Sequence, residues 1–336
     1  MDQPAVGDVG QVSVSVFGHT GEGRPVQAAT ISAGGVTARV MEWGATLLDL
    51  RLDGVDHPLA VGFEDFATYE THGQHVGAIA GRFAGRIAGG FTLDGRRFET
   101  TRNHGPATLH GGEAGMGVSL WSLSDHGPDF VEMVIRQPDG ADGFPGEVEA
   151  RCRYEAAEGA LSLRLTATTD SATVCNLAQH SYFNLSGAPA IDDHVLRLAS
   201  DRFTPLDEAL LPTGEVATCD AARDYRAARR IADATLDGHF VLADARRPAP
   251  EIAAVLSGGD VEMTVLTTEP GLVVYTADKF PATSGGLSGR RFGPRAGLCL
   301  ECQLWPDAPN QPGFPSAVLR PGESYRQDTI YRFRRL

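Results

Sequence analysis

The chain has 336 residues, a formal net charge of −14, and ordinary shares of hydrophobic (42%) and charged (21%) residues. A chain of this length and composition can bury a large core without disulfides, which excludes a mainly disordered protein. The acidic balance argues against nucleic acid as a partner, because phosphate binding requires a basic surface. No stretch approaches about 18 consecutive apolar residues, so no membrane partner is expected.

The N-terminus and the cysteines indicate the cellular setting. Residues 1–10 lack the basic start and apolar run of a signal peptide, and we expect them to form a loose N-terminus. The five cysteines are scattered and odd in number, which favours a reduced, cytoplasmic location. Lys279 is the only lysine, so an imine-forming mechanism would have a single candidate nucleophile.

Short alternating runs predict β-strands along the whole chain, with turn signals about every 8–12 residues. The clearest runs are residues 12–16, 161–165 and 261–265, and residues 91–98 predict a β-hairpin around Asp94 and Gly95. Strands and helices do not alternate as a doubly wound sheet requires. We therefore predict an all-β fold, one large antiparallel β-sandwich with a few short helices, formed as a single domain by residues 1–336.

Helical patterns are sparse. The best candidate is the segment 220–234, in which alanine, arginine and isoleucine recur without a proline. A shorter helical turn is predicted at residues 207–211, where Pro212 prevents continuation.

Two glycine-rich segments carry candidate ligand-binding side chains. Arg82 and Arg86, flanked by glycines, suit a loop that brings guanidinium donors to a ligand. His110 precedes two glycines that allow a substrate to approach the backbone closely. The alternatives are a solvated surface loop for the arginines and a structural or solvated histidine.

Two strand-like segments place polar groups where apolar ones are expected. The run 176–185 mixes Asn, Gln, His and Ser with aromatic residues, which predicts polar groups projecting into an aromatic-lined, sugar-binding cavity. The alternative is a core strand whose polar groups are hydrogen-bonded.

Glu301 interrupts an otherwise apolar strand, so its carboxylate is paired, protonated or facing a cavity. Burial would raise the pKa of this carboxyl group and make it a better base near neutral pH. Cys299 and Cys302 lie three residues apart on the same strand and point to opposite faces, so we interpret them as packing residues.

Taken together, the chain resembles the aldose 1-epimerases, or galactose mutarotases, over nearly its whole length. The matching segments are FG (17–18), WGA (43–45), VGF (61–63), GRFAGRI (81–87), LHGG (109–112), DGADGFPGEV (139–148), QHSYFNLSG (179–187), LLPTGEV (210–216) and LECQLWPDAPNQPGFPSAVLRPGESYRQDTIYRF (300–333). Their order and spacing make a chance match improbable.

The resemblance implies a galactose mutarotase-like supersandwich that binds a free aldose across a concave sheet, without metal or cofactor. It implies that Glu301 takes the proton of the anomeric hydroxyl while His180 protonates the ring oxygen. The ring then opens, the C1–C2 bond rotates, and the ring closes on the other face. The expected assembly is a monomer or a homodimer.

The resemblance also assigns substrate-binding residues. His110 would hydrogen-bond near the ring oxygen, and Arg86 and Asp237 would bind sugar hydroxyls. Two positions depart from the family pattern: Gly85 replaces an asparagine and Val273 replaces a sugar-contacting glutamine. Both changes remove amide hydrogen bonds to the sugar but leave the acid–base pair in place. The resemblance therefore does not determine which aldose is preferred.

Two other functions fit the same residues. A non-catalytic carbohydrate-binding protein would share the cleft but has no need for a glutamate facing a histidine. A metal enzyme would use His110, His180 and Glu301 as a two-histidine, one-carboxylate site.

Overall fold

The structure, a computed structural model, describes residues 13–71, 75–232 and 234–336. The predicted loose N-terminus (1–10) lies outside the described residues. Among those residues, no helix is long and apolar enough to cross a membrane.

Most of the regular structure is β-strand. The strands before residue 140 are β1 (Ser13–His19), β2 (Pro25–Ala33), β3 (Val36–Met41), β4 (Thr46–Leu52), β5 (Ile79–Ala80), β6 (Arg86–Ile87), β7 (Gly90–Leu93), β8 (Arg96–Glu99), β9 (Thr108–Leu109), β10 (Ser122–His126) and β11 (Phe130–Gln137). The strands between residues 140 and 245 are β12 (Val148–Ala157), β13 (Ala160–Thr169), β14 (Thr173–Val174), β15 (Ala178–Gln179), β16 (Tyr182–Phe183), β17 (Val195–Leu198), β18 (Arg202–Phe203), β19 (Ala217–Thr218), β20 (Arg229–Arg230) and β21 (Asp237–Val241). The remaining strands are β22 (Glu251–Gly258), β23 (Val261–Thr267), β24 (Gly271–Tyr275), β25 (Thr283–Gly286), β26 (Arg290–Phe292), β27 (Leu298–Gln303), β28 (Val318–Leu319) and β29 (Tyr325–Arg335).

The helical elements are short. They are the α-helix α1 (Phe66–Thr71) and the 3₁₀ turns Met116–Val118, Ala141–Gly143, Leu287–Gly289 and Ala308–Asn310.

Three antiparallel sheets form the two layers of a sandwich. One layer is a nine-stranded sheet in the order β10-β11-β12-β13-β29-β23-β22-β17-β20. The other layer contains the four-stranded sheet β1-β2-β3-β4, which packs on β11, β12 and β13, and the six-stranded sheet β16-β27-β24-β21-β18-β19. One core cluster joins all three sheets; its members include Leu47 (β4), Leu163 (β13), Met263 (β23), Leu272 (β24) and Leu300 (β27). The predicted all-β antiparallel sandwich is confirmed.

The predicted strands are present. Residues 161–165 lie in β13 and residues 261–265 in β23, and β1 begins at Ser13, the first described residue of the run 12–16. The predicted hairpin is formed by β7 and β8. Asp94 and Gly95 both have positive φ (49° and 79°), as the favoured two-residue hairpin turn requires.

The helix predicted at residues 220–234 is wrong. The segment forms turns and the short strand β20, and residue 233 lies outside the described residues. The carboxylate of Asp220 caps a single turn by accepting the N–H of Arg223. The carboxylate of Asp224 then accepts the N–H of Arg226, two residues on, and this local turn competes with continuation of a helix. The core contacts come from Tyr225 and Ile231, and two buried residues six apart do not form a helical stripe.

The helix α1 was not located by the sequence pattern. Its N-terminus is capped by Asp65, whose carboxylate accepts the N–H of Thr68 at 2.9 Å. Phe66 and Tyr69, three residues apart, are its buried side chains. Six residues are too few to show an amphipathic period. The turn predicted near residues 207–211 is present and is closed by a hydrogen bond from the N–H of Leu210 to the carbonyl of Asp207.

Candidate active site

The outer face of the six-stranded sheet carries the candidate site. Along β27 the side chains alternate, as in any strand. Leu298, Leu300 and Cys302 enter the central core, whereas Cys299, Glu301 and Gln303 lie on the opposite face. The two cysteines therefore point to opposite faces, as expected. The same face of β24 carries Val273, which is the cross-strand partner of Glu301.

A cavity of about 310 Å³ lies over this face. Its lining includes all five residues that the sequence assigned to a site: Arg86, His110, His180, Asp237 and Glu301. They come from β6, the loop after β9, the connection between β15 and β16, β21 and β27. Residues far apart in the chain thus meet in one pocket.

Glu301 and His180 face each other in the floor of the cavity. Nε2 of His180 lies 3.5 Å from Oε1 of Glu301, and both side chains are nearly inaccessible to solvent (8% and 4% exposed). Burial raises the pKa of Glu301, an effect that His180 and Arg86 oppose and that Asp237 reinforces. The pair is therefore a carboxyl group with enhanced basicity beside a nitrogen able to carry a proton.

His110 is held by reciprocal hydrogen bonds with Gly85. Its backbone N–H donates to the carbonyl of Gly85 (3.0 Å), and its Nδ1 accepts the N–H of Gly85 (3.3 Å). Burial, helped by the neighbouring His75 and His180, lowers the pKa of His110 well below its ordinary value. The ring is therefore neutral, and because Nδ1 is an acceptor, Nε2 carries the hydrogen and serves as a donor.

The two arginines of the glycine-rich loop have different roles. Arg86 lines the cavity, in register with Leu109 on β9. Arg82 is fully buried and donates to the carbonyls of Pro145 and Gly146 at 2.9 and 2.8 Å. The expectation that both guanidinium groups approach a ligand is therefore wrong for Arg82, because local spacing does not reveal which side chain the fold turns inward.

The polar run 176–185 is also only partly a ligand surface. His180 and Tyr182 line the cavity. The amides of Asn176, Gln179 and Asn184 instead donate to backbone carbonyls inside the protein. The backbone around the short strands β15 and β16 is irregular, and its carbonyl groups need side-chain hydrogen-bond donors. Most polar side chains of this run therefore stabilise the fold and do not face a ligand.

Other lining residues were not identified from the sequence. His75 lies with its ring 4.8 Å from that of His110, and burial lowers its pKa to about 3. His239, Tyr275 and Gln303 occupy the cavity face of β21, β24 and β27. Period-two counting from Glu301 would have found Gln303, but nothing in the local sequence points to His75.

The two departures from the family pattern lie in the cavity wall. Gly85 has a φ of +78°, and a Cβ built there would lie 3.1 Å from the amide nitrogen of Gln303. Val273 presents an apolar surface directly opposite Glu301 across the β24–β27 pair. Neither residue offers a side-chain hydrogen bond.

His110, His180 and Glu301 also carry side chains that can bind a metal ion, namely two imidazoles and one carboxylate. Their ligand atoms lie within 4.8 Å of one another. Ligands about 2.0–2.1 Å from a tetrahedral zinc ion lie about 3.3 Å apart. The cluster would have to contract to that spacing before it held such an ion.

Comparisons with known proteins identify the family of this chain. The family model for aldose 1-epimerase matches residues 27–332. Human galactose mutarotase is 34% identical over 341 aligned positions, covering 96% of this chain and 98% of that protein. Aldose 1-epimerase of Escherichia coli K12 is 31% identical, covering 93% and 96%.

Solved structures show the same architecture. An aldose epimerase homologue from C. elegans superposes with a TM-score of 0.85 at 28% identity, covering 91% of this chain and 98% of that chain. Galactose 1-epimerase from Lactobacillus acidophilus superposes with a TM-score of 0.84 at 25% identity, covering 97% and 99%. The protein belongs to the aldose 1-epimerase family.

Proposed function

We propose that the protein is an aldose 1-epimerase that interconverts the α and β anomers of a free aldose with Glu301 as base and His180 as acid. The observation that carries this proposal is the 3.5 Å approach of Nε2 of His180 to Oε1 of Glu301 in a buried cavity. Membership of the family supports the interconversion of anomers, and the geometry supports the assignment of Glu301 as base and His180 as acid.

Ring opening of a hemiacetal requires two proton movements. The carboxylate of Glu301 accepts the proton of the anomeric hydroxyl, and the electron pair of that O–H bond forms the aldehyde carbonyl. The bond between C1 and the ring oxygen breaks as Nε2 of His180 gives its proton to the ring oxygen, which becomes the C5 hydroxyl. Because both protons move together, no free alkoxide or oxocarbenium charge builds up.

Ring closure reverses the roles after rotation about C1–C2. Nε2 of His180 takes the proton of the C5 hydroxyl, which attacks the opposite face of the carbonyl. Glu301 returns its proton to the carbonyl oxygen, which becomes the anomeric hydroxyl of the other anomer. The enzyme ends each turnover in its starting protonation state, so no external acid, base or cofactor is consumed.

Three further residues are suited to hold the sugar. The Nε2–H of His110 is a donor placed beside His180, whose ring centroid lies 5.1 Å away. Arg86 supplies a guanidinium group and Asp237 a carboxylate at the same cavity, and these bind hydroxyls as donor and acceptor. We assign substrate binding to these three residues.

The substrate class is a free hexose or related aldose. The relatives include proteins named galactose mutarotase, so D-galactose is the first candidate substrate. A binding protein without catalysis is not favoured, because sugar binding alone gives no reason to bury an ionisable carboxyl group against an imidazole.

Polarimetry tests the proposal directly. Freshly dissolved α-D-galactose and α-D-glucose are mixed with the full chain after treatment with a chelator, and the decay of optical rotation is followed. We expect the rate above the buffer rate to rise in proportion to protein concentration and to survive chelation. No acceleration with these or related aldoses would contradict the function, and activity lost on chelation and restored by one metal would contradict the mechanism.

A further inference from the structure

The side of His180 remote from Glu301 contacts a thiol. Sγ of Cys299 lies 3.6 Å from Nδ1 of His180, and both residues are buried. Because Cys299 and Glu301 are two residues apart on β27, they share a face of the strand. The same strand therefore contacts both nitrogens of the imidazole, the thiol at Nδ1 and the carboxyl group at Nε2.

We propose that Cys299 is a positioning residue that engages Nδ1 of His180, so that only Nε2 exchanges the catalytic proton. This inference rests on the proposed function, because it concerns the acid of that reaction. It changes the interpretation of Cys299, which the sequence had assigned to packing.

The surroundings of the ring support this assignment. In the part of the chain that the structure describes, the other ionisable groups around His180 are Glu301 at Nε2 and the rings of His110, Tyr182 and His75, whose centroids lie 5.1, 5.2 and 6.3 Å away. The hydrogen-bonding contact at Nδ1 is the thiol of Cys299. The orientation of the ring therefore depends on this contact and on packing.

A thiol can hold Nδ1 of a histidine that gives and regains a proton at Nε2. The neutral ring left after Nε2 has delivered its proton keeps its hydrogen on Nδ1, so the sulfur of Cys299 accepts from Nδ1–H before and after the transfer. Burial raises the pKa of the Cys299 thiol well above its ordinary value, and the charge of Glu301 adds to this effect. The sulfur therefore keeps its hydrogen and does not take over the proton that Nε2 delivers.

The position of the sulfur is fixed by the sheet. Cys299 is paired with Tyr182 on β16 and with Tyr275 on β24, so it lies between two hydrogen-bonded neighbours rather than at a sheet edge. A side chain with one rotatable χ angle on such a strand has little freedom. The contact at Nδ1 is therefore as rigid as the strand that carries Glu301.

Substitution of Cys299 by Ala and by Ser separates positioning from packing. Cys299→Ala removes the partner of Nδ1, and we expect kcat to fall about tenfold or more with KM changed less than about twofold. Cys299→Ser keeps a donor and acceptor, and we expect it to retain most of the wild-type kcat. A packing role predicts the opposite order, because a buried hydroxyl is costlier than a methyl group. Cys302→Ala, on the core face of the same strand, is the control and should leave kcat unchanged.

Crystal structures of the Ala and Ser variants give a readout that does not depend on activity. We expect the imidazole of His180 to lose its single orientation in Cys299→Ala and to keep it in Cys299→Ser. An Ala variant with wild-type kcat and an unmoved ring, or an Ala variant more active than the Ser variant, would overturn the inference. An inactive wild-type chain would instead contradict the proposed function, and the ring orientation would still decide whether Cys299 positions His180.

Discussion

At the scale of single residues, the burial of Glu301 determines how the reaction depends on pH. Its pKa is raised above the ordinary value of 4.5, with burial as the main cause. The base works only when ionised, so kcat/KM should fall as pH drops through this raised pKa, at a higher pH than for an exposed glutamate. A pH–rate profile measures this acid limb. Full activity at pH 4.5 would contradict the prediction.

Removing either member of the pair should abolish most turnover without unfolding the protein. We expect Glu301→Gln and His180→Asn each to lower kcat by about 10²–10⁴-fold, the usual contribution of a general acid or base. The melting temperature of Glu301→Gln should equal or exceed that of the wild type, because glutamine carries no charge into the buried site. Polarimetry and thermal melting measure both effects. Near wild-type turnover in Glu301→Gln would show that another group is the base.

Restoring the amides that the family pattern contains should tighten substrate binding. The wild type is expected to bind aldoses only in the millimolar range. Val273→Gln adds a donor and acceptor opposite Glu301, and Gly85→Asn adds one at a positive φ that asparagine tolerates.

Each added hydrogen bond is worth about 0.5–1.5 kcal/mol, which corresponds to a KM lowered about twofold to tenfold. Saturation curves on D-galactose and D-glucose measure the change, and Val273→Leu is the matched control for volume without polarity. Micromolar KM in the wild type, or an unchanged KM in both amide variants, would contradict this account.

The sequence could indicate a cavity residue where an ionisable side chain stood in an apolar strand. A glutamate in an apolar strand is anomalous by itself, so Glu301 could be identified, and the family motifs supplied His180 and Arg86. His239 is buried and His75 is half-buried, and burial lowers the pKa of both rings to about 3. Such a histidine has no distinguishing local pattern. Their place at the cavity depends on which strands the fold brings together.

At the scale of elements, the two arginines of the glycine-rich segment 81–87 have different roles: Arg82 contributes to stability and Arg86 is proposed to bind the substrate. Arg82 satisfies backbone carbonyls in the interior, so Arg82→Ala leaves them unpaired and should destabilise the protein by about 1–3 kcal/mol for each of the two carbonyls. Arg86→Ala should raise KM and leave the melting temperature nearly unchanged, because Arg86 lies at the cavity. Denaturant unfolding and polarimetry on both variants test the division. Equal stability losses would contradict it.

Elements with a strict period were predictable and those held by side-chain capping were not. Buried and less buried residues alternate along all of β12 and from Leu161 to Thr168 in β13, which is the signal that sequence patterns detect. In the segment 220–234, the carboxylate of Asp224 binds the N–H of Arg226 in a local turn that overrides the helix propensity of the alanines and arginines. Propensity alone does not include this competition.

At the scale of the whole molecule, the site and the core depend on the same long-range pairing. The cavity residues Arg86 and Glu301 are separated by most of the chain, and β13 pairs with the C-terminal β29. Sequence motifs therefore identified residues that line the cavity, but only the sheet order explains why they meet.

This pairing predicts that the chain unfolds as one unit. A single cluster of buried residues runs from β2 to β29 and includes both layers of the sandwich, so no part of the sandwich can separate without exposing it. We expect far-ultraviolet circular dichroism, tryptophan fluorescence and loss of mutarotation to follow one coincident denaturation curve. Two resolved transitions would contradict a single domain, because they would require an interface between separately stable halves that the shared core does not contain.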